Sequence, residues 1–398
     1  MAARRALIID VVRSPFARGR AGGALDGIHP VSLYAQVLRG LLARTRIDPA
    51  LVEDVITGCV LQVGEQSGNI GRQAVLAAGF PESVAAVTLD RKCGSAQQAV
   101  DFAAQGIIAG AYDAVMAGGV EMMSAVPMRS NRLDKDNEGP ELRTRYPQGL
   151  IRQGISAELI ASRFELPRAE LDAFALRSHV RAMGAEDAGI TGRTIQAIAV
   201  PTATGTRMVT RDEGLRRNTS LEQLASIKPA FFDPAARIRF PEIDWRVTAG
   251  NSSQVTDGAA ATLLVEESLA ERLGLRPRAA VTRFAVSGDD PIMMLTAIIP
   301  ATRRLLGRAQ LNVADVDAWE VNEAFASVVL AWQKTLDVDP SKVNVFGGAI
   351  ALGHPVGASG GRLLGNLLDA LEKNRGRFGV QTMCESGGMA NASLIERL

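Results

Sequence analysis

The stretch LLARTRIDPALVEDV, residues 41–55, aligns without gaps on LLGRAQLNVADVDAW, residues 305–319. Both stretches predict a helix, then a turn, then a strand. Ala- and Leu-rich helices resemble one another in general, so this match alone leaves chance similarity open. A second agreement at the same separation would favour an internal repeat.

Two further agreements occur at this separation of 264 residues. The segment Cys93–Ala96 falls on the glycine-rich segment Gly357–Gly360, and Glu121 falls on Glu385. Three agreements at one separation make chance an unlikely source of the match. The sequence therefore predicts two halves of similar topology.

Each half mixes short apolar strands with amphipathic helices, which is the pattern of an α/β fold. The first half is predicted to cover residues 1–124 and to be completed by 249–272, and the second half to cover 273–398. The predicted strands are 6–11 and 114–117 in the first half, and 279–284 and 379–383 in the second.

An insertion of different composition, residues 125–248, separates the halves. Charged side chains crowd residues 129–146, which predicts an exposed loop. Residues 156–161 and 168–185 are predicted helices, the second opened by Pro167. Arginines concentrate near residues 207–217, where a solvated face and a phosphate-binding cluster are both compatible with the pattern.

The composition is that of a globular protein with two or three domains, because 47% of the 398 residues are hydrophobic and 22% charged. The net charge of +1 gives no electrostatic argument for a nucleic acid or membrane partner. No apolar run is long enough to cross a bilayer. Three cysteines indicate no disulfide framework and favour a reducing compartment, the cytoplasm.

Cys93 lies where a basic strand end meets small residues and the start of a predicted helix. Backbone N–H groups at a helix start and the adjacent Arg91 and Lys92 favour a thiolate, so a lowered pKa and a nucleophilic role are expected. A buried core cysteine is the alternative for an isolated residue of this type.

Three other motifs carry groups suited to acid–base chemistry. His354 lies in the glycine-rich turn 347–360, which lacks the Lys-Ser/Thr ending of a nucleotide-binding P-loop. Asn322 and Glu323 follow a predicted strand, where they could orient an imidazole or cap a helix. Cys384 leads from an apolar strand into small residues with free backbone N–H groups.

In this order, four motifs resemble the thiolase family of acyl-CoA acyltransferases: CGSAQQA (93–99), NEAF (322–325), GHP (353–355), and Cys384 with the glycines that follow it. GGVEMMS (118–124) and TAGNSSQVTDGAAA (248–261) add to the resemblance. The similarity runs from Arg13 nearly to the C-terminus. It implies a duplicated thiolase fold of five layers, αβαβα, with an inserted CoA-binding loop domain.

The resemblance also implies roles for the motif residues in thiolytic cleavage of 3-ketoacyl-CoA. Cys93 would attack the keto carbon and carry the acyl group, and Cys384 would act as acid and base. His354 would activate Cys93 and, with a water held by Asn322, stabilise the enolate oxygen. Backbone N–H groups of Cys93 and Ser386 would form the second oxyanion hole.

Contacts to coenzyme A are implied for four more residues. Ser253 would meet the pantetheine, Arg216 the adenine nucleotide, and Phe325 and Met294 would line the acyl or pantetheine tunnel. Coenzyme A is expected as a co-substrate, with no tightly bound cofactor and no metal. The family pattern also implies a homodimer or homotetramer.

Two departures from the family pattern bear on the substrate. Ser386 replaces a usual glycine, and Gln153 replaces the Met of short-chain biosynthetic members. The sequence is more similar to actinobacterial degradative thiolases, some of which act on fatty-acyl or sterol-derived esters. A biosynthetic acetoacetyl-CoA thiolase and a catalytically silent CoA-binding paralogue are the alternatives; a decarboxylating ketoacyl synthase is disfavoured by Cys384.

Overall fold

The computed structural model describes residues 4–398, so the first three residues of the predicted first half lie outside the described residues. The strands are β1 Ala6–Arg13, β2 Ala17–Arg18, β3 Asp54–Gly58, β4 Ala85–Leu89, β5 Ala114–Met122, β6 Ile198–Thr202, β7 Gly205–Val209, β8 Thr256–Glu266, β9 Ala279–Gly288, β10 Ala318–Val321, β11 Phe378–Glu385 and β12 Met389–Arg397. The α-helices are α1 Pro30–Thr45, α2 Ile70–Ala77, α3 Ser95–Ala109, α4 Gly139–Arg145, α5 Gln153–Arg163, α6 Arg168–Asp187, α7 Leu221–Ser226, α8 Pro234–Arg239, α9 Glu267–Arg272, α10 Ile298–Ala309, α11 Ala326–Leu336, α12 Ala349–Leu352 and α13 Ser359–Asn374.

The predicted repeat is present and keeps its register over several elements. Helices α1 and α10 end at equivalent residues, and each is closed by a left-handed residue, Arg46 at φ 56° and Gln310 at φ 55°. A short 3₁₀ helix follows at equivalent positions, Pro49–Leu51 and Val313–Asp315. Strands β3 and β10, helices α3 and α13, and strands β5 and β11 begin at equivalent residues.

Each half forms a mixed sheet with the same order of strands. The first half runs β4-β3-β5-β8-β1 and the second β10-β11-β12-β9. Strand β3 is parallel to β4 and β5, as β10 is to β11, whereas β8 and β12 are antiparallel to both neighbours. The two sheets meet where β1 pairs with β9 over only two residue pairs, Leu7 with Ala280 and Ile8 with Ala279.

Helices α3 and α13 form the central layer between the sheets. Helix α3 packs on β3, β5 and β8, helix α13 packs on β10 and β11, and the two helices pack against each other. Helices α1 and α2 cover the outer face of the first sheet, and α10 covers that of the second. Helix α11 packs beside α10, and its Trp332 contacts Trp319 of β10. The predicted five-layer αβαβα fold is therefore confirmed.

The insertion packs onto the second half, since α5 and α6 contact α11 and share its apolar core. The predicted helices at 156–161 and 168–185 lie within α5 and α6, and Pro167 is the N-cap of α6. The expectation that 129–146 is only loop was wrong, because α4 lies within it. Pro140 in the first turn of α4, and Arg143 and Arg145 in its last, favour that short helix.

Candidate active site

The helices of the central layer bring the Cys93 and His354 motifs together. A Cβ on Gly360, in the first turn of α13, would lie 2.4 Å from the backbone nitrogen of Gln97 in the first turn of α3. Only a glycine permits this approach. Cys93 lies two residues before α3 and His354 five residues before α13, so the packing of the two helix starts sets both residues in one region.

A tight turn presents Cys93 at the start of α3. Lys92 takes a left-handed conformation at φ 50°, and Ser95 Oγ fixes the turn by accepting from the Arg91 N–H and donating to the Lys92 carbonyl. The Cys93 side chain is 6% exposed. The turn therefore holds the thiol in a largely buried position beside a strained residue.

The expectation of a lowered pKa for the Cys93 thiol was wrong. Burial raises this pKa to about 12, and Glu385 adds to the rise, whereas Gln153 and Lys92 oppose it. The desolvation of the anion outweighs the adjacent cation and the helix start. Cys93 is consequently a neutral thiol at pH 7 and needs a base to become a nucleophile.

His354 is held in one orientation and one tautomer. Ser359 Oγ donates its single proton to the Pro355 carbonyl, so it accepts the proton on Nδ1 of His354, 2.6 Å away. The Nε2 atom is then an acceptor and lies 3.4 Å from Nδ2 of Asn322. Burial and the positive charge of Arg362 lower the pKa of His354 to about 3. The ring is therefore neutral in the free protein, and its Nε2 carries no proton.

The loop before His354 requires a glycine. Gly353 has φ 99°, and a Cβ there would lie 2.3 Å from Oγ1 of Thr256. The same hydroxyl accepts the His354 backbone N–H at 3.0 Å. Strand β8 of the first half therefore anchors the loop that carries the histidine.

Asn322 lies directly after β10 and is fully buried. Its backbone N–H donates to the carbonyl of Thr382 on β11. Its side-chain Oδ1 has no partner among the described residues. The unpaired oxygen is available to a water or a substrate atom, while Nδ2 faces His354.

Cys384 lies near the end of β11, where it pairs with Ala390 of β12. Burial raises its pKa well above the usual range, and the neighbouring Cys93 and Glu385 add to the rise. The two thiols are thus close enough to interact electrostatically. Both are protonated at neutral pH in the free protein.

The turn after Cys384 explains why Ser386 is accommodated. The left-handed residues of this turn are Gly387 at φ 91° and Gly388 at φ 77°, and Ser386 is not among the residues with positive φ. A Cβ at this position meets no backbone restriction. The Ser386 backbone N–H can therefore be presented as a glycine would present it.

The residues expected to contact coenzyme A fall into two groups. The Ser253 backbone N–H donates to the Ala324 carbonyl, and Gln254 binds the carbonyl of Gly214, two residues from the exposed Arg216. Ser253 and Arg216 are thus on neighbouring segments. Phe325 and Met294 instead line cavities beside the two thiols.

Two adjoining cavities open beside the thiols, with volumes of about 530 and 400 Å³. Met294 and Ser386 line both cavities, Lys92 the larger one, and Gln153 and Phe325 the smaller one. Phe325 packs edge to face against Phe231, with ring centroids 5.6 Å apart. The cavities lie next to the sequence neighbours of both cysteines.

Sequence reasoning missed two contacts of the site. Gln153 acts on the Cys93 thiol, although it was noted only as a departure from the family pattern. Ser359 fixes the histidine tautomer, and its only signal was that it aligns with Ser95 in the repeat. The contact of Gln153 joins segments 60 residues apart, where local spacing carries no information, whereas Ser359 is only five residues from His354 and was overlooked within the same glycine-rich turn.

The described part of the chain contains no cluster of three or more His, Cys, Asp or Glu side chains arranged to hold a metal ion. Across residues 4–398, no helix has the length and apolar character needed to span a bilayer.

Comparisons with known proteins agree with this architecture. The model of the thiolase N-terminal domain matches residues 6–268, and that of the thiolase C-terminal domain matches residues 275–397. A steroid 3-ketoacyl-CoA thiolase from Mycobacterium tuberculosis is 47% identical over 99% of this chain and 94% of its own length. A 3-ketoacyl-CoA thiolase from Shewanella baltica is 40% identical over 99% of this chain and its own full length.

A solved structure gives the same result. The crystal structure of an acetyl-CoA acetyltransferase from Bacillus anthracis superimposes with a TM-score of 0.89 and 36% identity, covering 100% of both chains. Together, the duplicated fold, the paired helix starts and these relatives show that this chain belongs to the thiolase family.

Proposed function

We propose that this protein cleaves 3-ketoacyl-CoA thioesters by thiolysis, releasing acetyl-CoA and a shortened acyl-CoA. The observation that carries the proposal is the neutral His354 ring, fixed with Nε2 as acceptor at the same pair of helix starts as the Cys93 thiol. The thiolase names of the relatives support the degradative direction. Coenzyme A is a co-substrate in this scheme, and no resident cofactor takes part.

The first half-reaction forms an acyl-enzyme. His354 accepts the Cys93 proton, and the sulfur attacks the 3-keto carbon. The bond between C2 and C3 then breaks, which leaves the acyl group on Cys93 and an acetyl-CoA enolate. His354 and a water held by Asn322 stabilise the enolate oxygen, and Cys384 gives its proton to the enolate carbon.

The second half-reaction transfers the acyl group to a new coenzyme A. The Cys384 thiolate takes the proton of the incoming thiol, whose sulfur attacks the thioester on Cys93. The Cys93 and Ser386 backbone N–H groups stabilise the tetrahedral oxyanion. The Cys93 thiolate leaves and recovers its proton from His354, so both cysteines return to their starting state.

We propose that each segment of the chain supplies different residues to the site. Residues 1–124 with 249–272 supply Cys93, and 273–398 supply Asn322, His354 and Cys384. The insertion 125–248 supplies Gln153 and Arg216 and binds coenzyme A, with Ser253, Phe325 and Met294 as further contacts.

The decisive experiment is mass spectrometry after incubation with a 3-ketoacyl-CoA in the absence of free coenzyme A. An acyl adduct on the peptide that contains Cys93 is expected, together with release of acetyl-CoA. A folded protein that binds the thioester but forms no adduct would be the silent paralogue. Thiolysis rates for acetoacetyl-CoA and longer substrates distinguish the degradative from the biosynthetic enzyme.

We also propose a homodimer or homotetramer. Strand β4 is the edge of the first sheet, pairs only with β3, and leaves its outer side partly exposed. An open edge of this kind is a ready site for pairing with a second copy. A sedimentation mass of two or four chains is expected, and a monomer at micromolar concentration would contradict it.

A further inference from the structure

The two cavities beside the thiols are lined by both apolar and cationic side chains. Met294, Ile151 and Met128 line both cavities and provide apolar surface next to Ser386. Three guanidinium groups, those of Arg129, Arg132 and Arg152, also line both. A chain that enters from the reacting thiols therefore meets apolar side chains and cations within one space.

The three arginines are close together and carry no counter-charge from the described part of the chain. None forms an ion pair there, whereas the arginines at positions 13, 193, 217 and 278 are all paired with carboxylates. Burial, Arg152 and Arg132 together lower the pKa of Arg129, which reflects their mutual proximity. Glu138 is the single acidic side chain that lines these cavities, and Lys92 is already paired with Asp90.

Unpaired guanidinium groups facing one cavity are suited to a planar anion. A guanidinium binds a carboxylate through two parallel hydrogen bonds, which a hydrocarbon tail cannot replace. Arg129, Arg132 and Arg152 are exposed in the free protein, and an apolar tail beside them offers no acceptor to their N–H groups. The cavity thus favours an acyl group that ends in a negative charge.

Of the four residues expected to contact coenzyme A, Phe325 and Met294, assigned to the acyl or pantetheine tunnel, line these cavities. Ser253 and Arg216 line neither cavity. The cavities instead share residues with the reacting end of the site, through Gln153, Met294 and Ser386. An acyl group extending from Cys93 is therefore the occupant that the position favours.

We propose that the acyl chain of the substrate ends in a carboxylate, which the Arg129, Arg132 and Arg152 cluster binds. This inference rests on the proposed thiolase function and specifies its substrate class. The substrate is then the coenzyme A thioester of a 3-keto dicarboxylic acid. The reactions that supply it must generate a chain with an acid at each end, such as oxidative opening of a ring.

The test compares matched thioesters of six, eight and ten carbons, each with a terminal carboxylate or a terminal methyl group. At one or more lengths, kcat/KM is expected to be about tenfold or more higher for the carboxylate form. Arg129→Gln and Arg132→Gln should each lower that ratio severalfold, and Arg129→Lys should lower it less. Arg145→Gln is the control, because Arg145 is an exposed arginine of α4 that lines neither cavity.

A binding measurement separates this inference from the proposed function. Calorimetry with saturated acyl-CoA pairs, one carboxylate-terminated and one methyl-terminated, reports the preference without turnover. Equal affinities, or a ratio unchanged in both glutamine variants, would overturn the inference while thiolysis of methyl-terminated substrates upheld the function. A rise in the KM for coenzyme A with both substrate types would assign the arginines to its phosphates and overturn the inference as well.

Discussion

The two halves of the molecule use one scaffold for different chemistry. Cys93 in the first half is equivalent to Gly357 in the second, and Ser95 is equivalent to Ser359. Ser95 folds the turn that presents the nucleophile, whereas Ser359 orients the base. Pairing the two helix starts brings the nucleophile of one half into the same region as the base of the other.

The equivalent residues Glu121 and Glu385 differ more sharply in the hydrogen bonds that their carboxyl groups form. Glu121 accepts the N–H groups of Val60, Leu61 and Gly357 and the amide of Gln66. Neither oxygen of Glu385 has a hydrogen-bond partner within residues 4–398, although a Cβ on Gly94 would lie 2.1 Å from one of them. Glu121 therefore fixes the loop before α13 through hydrogen bonds. Glu385 is an unpaired acid that lies next to the turn carrying Cys93.

The largest expected effect follows from removing the thiol of Cys93, whose equivalent in the second half, Gly357, has no side chain. Cys93→Ala should lower kcat for thiolysis by a factor of about 10³ or more, because no other side chain can carry the acyl group. Steady-state kinetics measures this loss, and acyl-CoA binding by calorimetry is the control. Turnover near the unmodified rate would remove Cys93 as the nucleophile.

Removing the charge of Glu121 should destabilise the fold. The carboxylate of Glu121 accepts four hydrogen bonds, whereas in Glu121→Gln the amide NH2 would face some of the same N–H donors. The free energy of unfolding should fall by about 2–3 kcal/mol. Urea unfolding at pH 8 measures the change, with Glu271→Gln, at an exposed position of α9, as control. A loss below 0.5 kcal/mol, taken as about the scatter of surface substitutions, would contradict the bracing role.

Removing the hydroxyl of Ser359 should weaken the base without unfolding the protein. Ser359→Ala is expected to lower kcat about tenfold, because the His354 ring loses the acceptor that fixes its tautomer. The rate of acyl loading on Cys93 should fall with it, while the KM for coenzyme A should not change. Ser95→Ala is the matched variant in the other half, and an unaltered loading rate in Ser359→Ala would refute the assignment.

Glu385 should make stability depend on pH. Burial raises its pKa to about 8, so the folded state keeps a proton that the unfolded chain releases near pH 4.5. Its contribution to stability is complete below pH 4.5 and is lost as the pH rises through 8. Glu385→Gln should therefore gain about 1 kcal/mol relative to the unmodified protein between pH 7 and pH 8. A constant difference in unfolding free energy over that range would contradict the shifted pKa.

The smallest effect is expected at Ser386. Because its φ is not positive, Ser386→Gly should change kcat/KM by no more than about twofold. Thiolysis of one substrate, measured side by side for the two proteins, is sufficient. A tenfold gain would show that the serine side chain obstructs the oxyanion hole.

The sequence was sufficient for the parts of the fold that repeat. Periodicity and the match at one separation predicted the α/β halves, since the register of a helix, a cap and a strand is local information. The helix α4 was missed because a dense run of charges obscured the signal of Pro140 and the terminal arginines.

The site was predictable in its residue types but not in its electrostatics. Cys93, His354, Asn322 and Cys384 each stand in a motif, and the paired helix starts place Cys93 near His354. The direction of the Cys93 pKa shift depends on burial by distant segments, which no local pattern reports. Arg129 and Arg132 fell within the predicted exposed loop 129–146, and Arg152 was assigned no role, because no local pattern reports a cavity formed with distant segments.

The pairing of β1 has a consequence for synthesis of the chain. Its strand partners are β8 and β9, so β1 cannot be paired within the sheet until residue 256 has been made. At cellular rates of about 5–20 residues per second, that delay is roughly 10 to 50 s. During this time an apolar strand with buried residues at seven of its eight positions stays exposed. We expect the nascent chain to need chaperone protection mainly at its N-terminus.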